Sequence, residues 1–288
     1  MIDLNFINGV KTDDKNIISL KNPSFLYGVN CFEGIRGYYI KKLDCINIVD
    51  LSEHIERLIS SINLLEFNIS INKTELIDEI NNIILHEKIK ENIYLRLTYF
   101  LDGEVSWRQK EKISYTLNIR SIDSYLGNSL PISLGISSYV RISRNTLPPF
   151  VKAGANYLNS RYALLDSEKR GFQGTLFLND KGYVSESSGS CIFFIKNNTL
   201  YTPSEDCDIL VGITRGRILE IAKKNNINLK EQKIKPENIS SFDFAFLAGT
   251  MIEIKPVASI EDYFFDKENK TYDFIVNMYN KYTKCKQE

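Results

Sequence analysis

One lysine stands in a segment whose composition suits covalent chemistry. Lys152 follows the proline pair Pro148 and Pro149 and precedes a predicted helix, and its neighbours from 150 to 155 are small or apolar. Such surroundings disfavour the charged ammonium and favour the neutral amine, which is the form that makes a Schiff base with a carbonyl compound. Because most lysines are exposed, the segment is also typical of a surface lysine in a loop.

A carboxylate lies at the end of a predicted strand in the second half of the chain. Glu186 ends the strand predicted at 183–186, and residues 187–190 read Ser-Ser-Gly-Ser. Small residues let a planar ligand approach the backbone, and a pyridoxal ring requires an acid beside its ring nitrogen to keep that nitrogen protonated. Taken alone, Glu186 is an ordinary exposed glutamate.

Two short segments and one arginine could hold an anion. Residues 211–215 open a predicted helix, where free backbone N–H groups, the positive end of the helix dipole and the Thr214 hydroxyl suit a phosphate. Residues 248–251, Ala-Gly-Thr-Met, form a turn that could do the same. Arg57 on an earlier helix could add a fork of donors. The alternatives are a capped helix start, an ordinary turn, and an exposed ion pair between Arg57 and Glu53.

Charge balance and missing motifs exclude several classes of protein. The 36 basic and 36 acidic residues give a net charge of zero, which favours neither nucleic-acid nor membrane binding. The two histidines, His54 and His86, lie in no metal-binding or hydrolase motif, so both are interpreted as structural and no metal is predicted. The sequence also lacks the glycine motifs of P-loop and dinucleotide-binding enzymes.

The cysteines and the apolar segments bear on location. The five cysteines are an odd number and form no C-x-x-C pair, which argues against a disulfide framework. The first residues carry acids where a signal peptide carries bases, and no apolar run approaches the ~18 residues of a membrane span. We therefore expect a cytoplasmic protein.

Turn signals and hydrophobic periodicity predict the elements that position these residues. Asn8 and Gly9 predict a hairpin turn, Ser52 could cap a helix, and Asn72 with Glu75 has capping-box spacing. The predicted strands are 32–40, 45–49, 93–100, 132–136, 175–178, 183–186, 191–195 and 243–247. The predicted helices are 52–65, 74–87, 159–169, 214–225 and 273–282.

Length and turn formers predict two domains. At roughly 150 residues per domain, 288 residues should form about two compact units. Turn formers cluster at 123–131, so we predict a small N-terminal domain at 1–122, an interdomain loop at 123–131 and a larger C-terminal domain at 132–288. Strands and helices interleave without steady βαβ alternation, which favours a two-domain α+β fold.

Taken together, these segments resemble the class IV pyridoxal-phosphate aminotransferases, also called fold type IV, and most closely the branched-chain amino acid aminotransferases. The resemblance runs from about Asn8 to Ile260. Its motifs, in chain order, are Tyr27-Gly28-Val29-Asn30-Cys31-Phe32-Glu33-Gly34-Ile35-Arg36, His54-Ile55-Glu56-Arg57-Leu58, Tyr94-Leu95-Arg96, Val151-Lys152-Ala153-Gly154-Ala155-Asn156-Tyr157, Ser185-Glu186, Gly212-Ile213-Thr214-Arg215 and Gly249-Thr250.

The resemblance implies a role for each matching residue. The cofactor would be pyridoxal 5'-phosphate, held by the larger domain, with Lys152 as the catalytic residue that bonds to it covalently. Tyr157 would hydrogen-bond the ring oxygen and Glu186 would pair with the ring nitrogen. The phosphate would be bound by Arg57, Ile213, Thr214 and Thr250. The substrate pocket would be lined by Tyr27, Phe32, Gly34, Tyr94, Arg96, Tyr125, Thr250 and Met251, the last two partly through backbone N–H groups.

The implied reaction is transamination between a branched-chain L-amino acid and 2-oxoglutarate, in a ping-pong cycle through aldimine and ketimine intermediates. Relatives are homodimers, so we expect a homodimer whose partner contributes to the pocket. The sequence departs from the family at Cys191, where asparagine is usual, at Leu97, where proline is usual, and at Ile122, where tryptophan is common. Three alternatives remain: a D-amino acid aminotransferase, an aminodeoxychorismate lyase, or a non-catalytic pyridoxal-phosphate binding protein.

Overall fold

The computed structural model describes residues 1–13, 18–127 and 129–285, and the chain divides into two compact units. Unit 1 comprises Met1–Ser124, Val151–Ala155 and Thr283–Glu288, and unit 2 comprises Tyr125–Phe150 and Asn156–Tyr282. The loop predicted at 123–131 includes Asn128, which lies outside the described residues. The predicted domain boundaries themselves stay a prediction.

Unit 1 is built on an antiparallel sheet of six strands in the order β2-β1-β6-β5-β3-β4, counted over the described residues. Its strands are β1 (Asp3–Ile7), β2 (Val10–Thr12), β3 (Asn30–Ile40), β4 (Cys45–Ile48), β5 (Ile93–Leu101) and β6 (Ile113–Ser121). Its helices are α1 (Pro23–Tyr27), α2 (Leu51–Leu64) and α3 (Lys73–His86).

Turn and cap signals are confirmed at two of three positions in unit 1. Asn8 and Gly9 both have positive φ, 45° and 78°, as a two-residue hairpin of this type requires. Asn72 caps α3, since its side chain accepts the N–H groups of Thr74 and Glu75. The cap predicted at Ser52 is wrong, because α2 begins at Leu51 and Ser52 lies inside its first turn.

One face of the unit 1 sheet packs against helices α2 and α3. On this face, Cys31 and Ile35 of β3 and Leu95 and Leu97 of β5 join an apolar core to which both helices contribute. Each large side chain buried there stabilises the fold by roughly 1.5–3 kcal/mol. The buried residues that the sheet and the two helices contribute to this core include Cys31, Ile35, Leu95, Leu97, Ile55, Leu58, Ile62, Leu76 and Ile80. The sheet therefore separates this core from the face that carries Phe32, Gly34, Tyr94 and Arg96.

Unit 2 contains a mixed sheet of nine strands among the described residues, in the order β12-β11-β10-β13-β14-β7-β8-β9, with β15 paired to β14. Its strands are β7 (Ile132–Ile136), β8 (Gly174–Leu178), β9 (Val184–Ser187), β10 (Cys191–Lys196), β11 (Thr199–Pro203), β12 (Leu229–Gln232), β13 (Phe244–Gly249), β14 (Glu253–Ile260) and β15 (Tyr263–Phe264). Its helices are α4 (Tyr157–Lys169), α5 (Ile213–Lys224) and α6 (Lys270–Thr283), and short 3-10 turns occur at Glu205–Cys207 and Pro236–Ser241.

The mixture of antiparallel strands with two parallel crossovers confirms the α+β prediction. Helix α4 connects the parallel pair β7 and β8, and α5 connects the parallel pair β11 and β12. Strand β10 is buried on both faces, with Phe193 and Ile195 in one core and Ile192 and Phe194 in the other. This two-sided burial explains its continuous apolar sequence.

Several elements were not predicted. Strand β14 lies between β13 and β7, although Pro256 within it cannot donate a ladder hydrogen bond and argues against a central strand. Strand β12 is short and mostly exposed, and α1 spans only five residues. None of the helices in the described part of the chain has both the length and the apolar character needed to cross a bilayer.

Candidate active site

The backbone around Lys152 pairs with the beginning of strand β3. The N–H of Phe32 donates to the carbonyl of Lys152 at 3.0 Å, and Cys31 forms an isolated antiparallel bridge with Ala153. The N–H of Lys152 donates to Oγ of Ser61 on α2 at 3.3 Å. The lysine is thus fixed on unit 1 by contacts with residues that lie far from it in sequence.

The side chain of Lys152 is half-buried and lies over an aromatic ring. Its Nζ is 4.9 Å from the centroid of the buried Phe32 ring, and Cζ of Arg96 is 3.6 Å from the same centroid. Both distances are within the range of cation–π attraction. The structure therefore places Lys152, Phe32 and Arg96 together and disagrees with the alternative of an exposed loop lysine.

Two further predicted substrate residues complete this face. Gly34 lies opposite Arg96, and Arg36 lies opposite Tyr94, in the register of β3 and β5. A Cβ atom on Gly34 would stand 2.8 Å from Cζ of Tyr94 and closer still to its hydroxyl. Glycine is required here because the Tyr94 phenol occupies the space of a side chain.

Arg57 is held by a buried carboxylate that sequence reasoning missed. Its Nε and Nη2 donate to Glu33 at 2.7 Å and 2.8 Å, and Nδ1 of His54 lies 2.7 Å from the same carboxylate. Burial raises the pKa of Glu33, but the Arg57 charge and the hydrogen bonds from Arg57 and His54 outweigh it and lower the pKa to about 2. The available signal was the position of Glu33 between Cys31 and Ile35, where a core-facing acid needs a partner.

Glu186 on unit 2 is buried and paired. Only 5% of the residue is exposed, and its Oε1 lies 2.7 Å from Nη2 of Arg141, which is also buried. The alternative of an exposed glutamate is therefore wrong. Arg141 was missed because its position in sequence gives no sign of Glu186, and the N–H that it donates to Leu178 brings it to the end of β8.

The two predicted phosphate segments of unit 2 both adjoin Cys191, which lies opposite Ala248 in the register of β10 and β13. Helix α5 begins at Ile213, and its N-cap residue is Gly212. Because glycine has no side chain, the first N–H groups of the helix have no side-chain cap. A Cβ on Gly212 would lie 2.8 Å from Sγ of Cys191, which donates to the Leu210 carbonyl. Cys191, in place of the usual asparagine, thus packs directly beneath the helix start. Free N–H groups and the helix dipole make such a start a suitable anion site.

The remaining predicted residues have different degrees of exposure. Thr214 is buried, Thr250 is half-buried and Met251 is exposed in the turn after β13. Tyr157 is the half-buried first residue of α4, and Tyr125 is 56% exposed. Within unit 1, Tyr27 at the end of α1 is exposed and its ring centroid lies 6.2 Å from that of Trp107.

Over residues 1–13, 18–127 and 129–285, no cluster of three or more histidine, cysteine, aspartate or glutamate side chains is arranged to hold a metal ion. His54 is buried against Glu33, and the imidazole of His86 is exposed. The chemistry described here involves an amine, carboxylates and guanidinium groups.

Comparison with known proteins places this geometry in a family. The model of the family described as amino-transferase class IV matches residues 30–260. A probable branched-chain-amino-acid aminotransferase of Aquifex aeolicus is 33% identical over 251 residues, which is 85% of this chain and 80% of the relative.

Solved structures agree with the sequence match. A branched-chain aminotransferase of Thermoproteus uzoniensis with norvaline superposes with a TM-score of 0.92 at 27% identity, covering 99% of this chain and 96% of the other. The holo form of a Thermobaculum terrenum branched-chain amino acid aminotransferase, with PLP, gives 0.91 at 26% identity over 98% and 94%. The chain therefore belongs to the class IV aminotransferase family.

Proposed function

We propose that this aminotransferase transfers the amino group of leucine, isoleucine or valine to 2-oxoglutarate. Enzymes of its class use pyridoxal 5'-phosphate, which supplies an electron sink for the electrons left when the substrate Cα–H bond breaks. The observation that carries the proposal is the cluster of Lys152, Phe32 and Arg96 on one face of unit 1. It combines an amine, an apolar wall and a cation for a second carboxylate.

The residues present fit this cofactor. In the proposal, Nζ of Lys152 bonds to it covalently, Tyr157 donates to the ring oxygen, and Glu186 faces the ring nitrogen. The donor set for the phosphate is Arg57, Ile213, Thr214 and Thr250. The fit is supported by the uncapped start of α5 and by the absence of acids in the first turn of that helix, whose residues are all described.

Lys152 also moves the proton in the proposed mechanism. With the substrate amine bound in its place, the free Nζ would take the proton from the substrate Cα and deliver it to the cofactor carbon that is bonded to the substrate nitrogen. The half-buried setting beside Phe32 limits the access of water to that amine. The backbone hydrogen bonds to Phe32 and Ser61 hold the lysine in register during both transfers.

Glu186 and Arg141 act as a fixed charge pair in this proposal. A carboxylate opposite the ring nitrogen stabilises its protonated form, which increases the electron demand of the ring. Arg141 orients that carboxylate through a buried ion pair, so the carboxylate needs little rearrangement during the reaction. A preorganised charge of this kind is worth more in a buried site than in water.

Substrate recognition is assigned to both polar and apolar groups. Backbone N–H groups at Thr250 and Met251 would bind the α-carboxylate. Phe32, Gly34 and Tyr94 would line the slot for an aliphatic side chain, with Tyr27 and Tyr125 at its edge. Cζ of Arg96 lies 3.6 Å from the centroid of the Phe32 ring, and the fork of guanidinium donors on Arg96 would suit the γ-carboxylate of glutamate.

A homodimer and a cytoplasmic location belong to the proposal as well. Phe25, Tyr27 and Trp107 are exposed on unit 1, and exposed apolar groups of this kind are typical of contact surfaces. All five cysteines lie within the described residues and none of them is joined in a disulfide, in keeping with a reducing compartment. Light scattering over a range of protein concentrations tests the dimer, and a fully active monomer would contradict it.

Two experiments test the function. Borohydride reduction and peptide mapping should place the cofactor label on Lys152, and a label on another lysine would reject the assignment. The half-reaction with L-leucine should convert the bound cofactor to its amine form. Faster conversion by D-alanine would favour a D-amino acid aminotransferase, release of pyruvate from aminodeoxychorismate would favour the lyase, and binding without conversion would indicate a non-catalytic protein.

A further inference from the structure

Glu253 is a buried acid in an unfavourable backbone conformation. It follows the three-residue loop 250–252 that joins β13 to β14, and it lies opposite Gly249 in their register. Its φ is 59°, a left-handed value that glycine usually supplies at the end of such loops. Only 1% of the residue is exposed. Glutamate at this position therefore incurs both a backbone cost and a desolvation cost.

Other long charged residues share the left-handed backbone but not the burial. Glu66, Lys88 and Lys112 have similar positive φ values and are exposed, and Glu261 is half-buried. Water can solvate the charged ends of those exposed side chains. The carboxylate of Glu253 must instead obtain hydrogen bonds from the protein.

One of these hydrogen bonds comes from a segment assigned to substrate recognition. Oε2 of Glu253 accepts the backbone N–H of Tyr125 at 2.8 Å. Tyr125 is 56% exposed as a whole residue. Glu253 thus holds the main chain of a residue that remains accessible to solvent or ligand. Hydrogen bonds to an ionised acceptor are shorter and stronger than neutral ones, which suits an acid to this task.

We propose that Glu253 is a positioning residue for substrate binding, which joins Tyr125 to the turn that carries Thr250 and Met251. The inference rests on the proposed function, in which that turn binds the α-carboxylate and Tyr125 borders the side-chain slot. Because Glu253 directly follows the turn and holds the Tyr125 backbone, it fixes the spacing between the two contacts. It touches neither substrate nor cofactor in this role.

A matched pair of substitutions tests the proposal. Glu253→Gln keeps an oxygen that can accept the Tyr125 N–H, whereas Glu253→Asn tolerates the left-handed backbone but is one methylene too short to reach it. We expect the Asn variant to raise the dissociation constant of L-leucine in the half-reaction about 10- to 100-fold. Its maximal rate, its cofactor absorbance and its cofactor affinity should stay close to those of wild type. The Gln variant should restore most of the affinity for leucine.

Hydrogen exchange supplies a readout that does not depend on turnover. The Tyr125 amide should be protected in the wild-type holoenzyme and in the Gln variant, and should exchange at least about tenfold faster in the Asn variant. In a Tyr125→Ala background, Glu253→Asn should add little further loss of leucine affinity. If the Asn variant does not fold, Glu253→Gly replaces it, since glycine adopts this backbone without strain.

The results separate the inference from the function on which it rests. A wild-type enzyme that fails to react with L-leucine would overturn the proposed function. A reactive wild type whose Asn variant binds leucine normally, or whose Tyr125 amide exchanges at an unchanged rate, would overturn only the role of Glu253. Equal losses in cofactor binding and substrate binding would also overturn it, because they indicate general damage to unit 2.

Discussion

Replacement of Glu33 should destabilise unit 1 in a pH-dependent manner. Glu33→Gln preserves the shape of the side chain. It removes the negative charge that pairs with Arg57 and His54 through hydrogen bonds. The pKa of the Glu33 carboxyl is lowered from 4.5 to about 2, because the Arg57 charge and these hydrogen bonds outweigh the effect of burial. A depression of that size corresponds to about 3 kcal/mol of unfolding free energy at neutral pH.

The sign of the pH dependence follows from the direction of the shift. Because the folded-state pKa lies below the unfolded-state value, the contribution of Glu33 is fully present above pH 4.5 and is lost as the pH falls toward 2. Glu33→Gln should therefore lower the stability of unit 1 most at pH 7. The difference between wild type and variant should shrink steadily as the pH decreases through this range.

The single tryptophan makes the measurement specific to unit 1. Trp107 lies in that unit, so its fluorescence during urea unfolding reports on unit 1. Glu56→Gln is the matched control, since Glu56 lies on the same helix as Arg57 and forms an exposed pair with Lys73, and its loss should have little effect. A Glu33→Gln variant as stable as this control, or one whose deficit is the same at pH 7 and pH 3, would refute the reasoning.

Three further predictions concern the proposed site. Glu186→Gln should bind cofactor but slow the half-reaction by roughly 3 to 4 kcal/mol in activation free energy, measured by stopped-flow absorbance; near-normal turnover would reject its assignment to the ring nitrogen. Arg96→Met should weaken the reaction with L-glutamate by about 1.5 to 3 kcal/mol more than that with L-leucine, and equal losses would mean that Arg96 only braces the sheet. Gly34→Ala should displace Tyr94 and impair leucine turnover without loss of cofactor. In the double variant, this defect should not add to that of Tyr94→Ala, and additive defects would exclude the steric explanation.

The class of the protein and many of its elements could be predicted from sequence because their signals are local. The Asn8-Gly9 turn, the Asn72 cap and the apolar run of β10 each arise from the preferences of neighbouring residues. The ordered motifs around Lys152 and Glu186 were sufficient to identify the class IV family and its pyridoxal-phosphate cofactor, and both are confirmed. The roles of individual site residues stay predictions.

Tertiary structure alone decided which partners stabilise the proposed site residues. Arg57 and Glu33 are 24 residues apart and Lys152 and Ser61 are 91 apart, so no periodicity connects them. Charged pairs such as Arg141 with Glu186 form because burial of one charge requires an opposite charge nearby, and the fold determines which residue is near. Sequence thus specified the reactive groups and the local elements, whereas long-range packing specified the contacts that orient those groups.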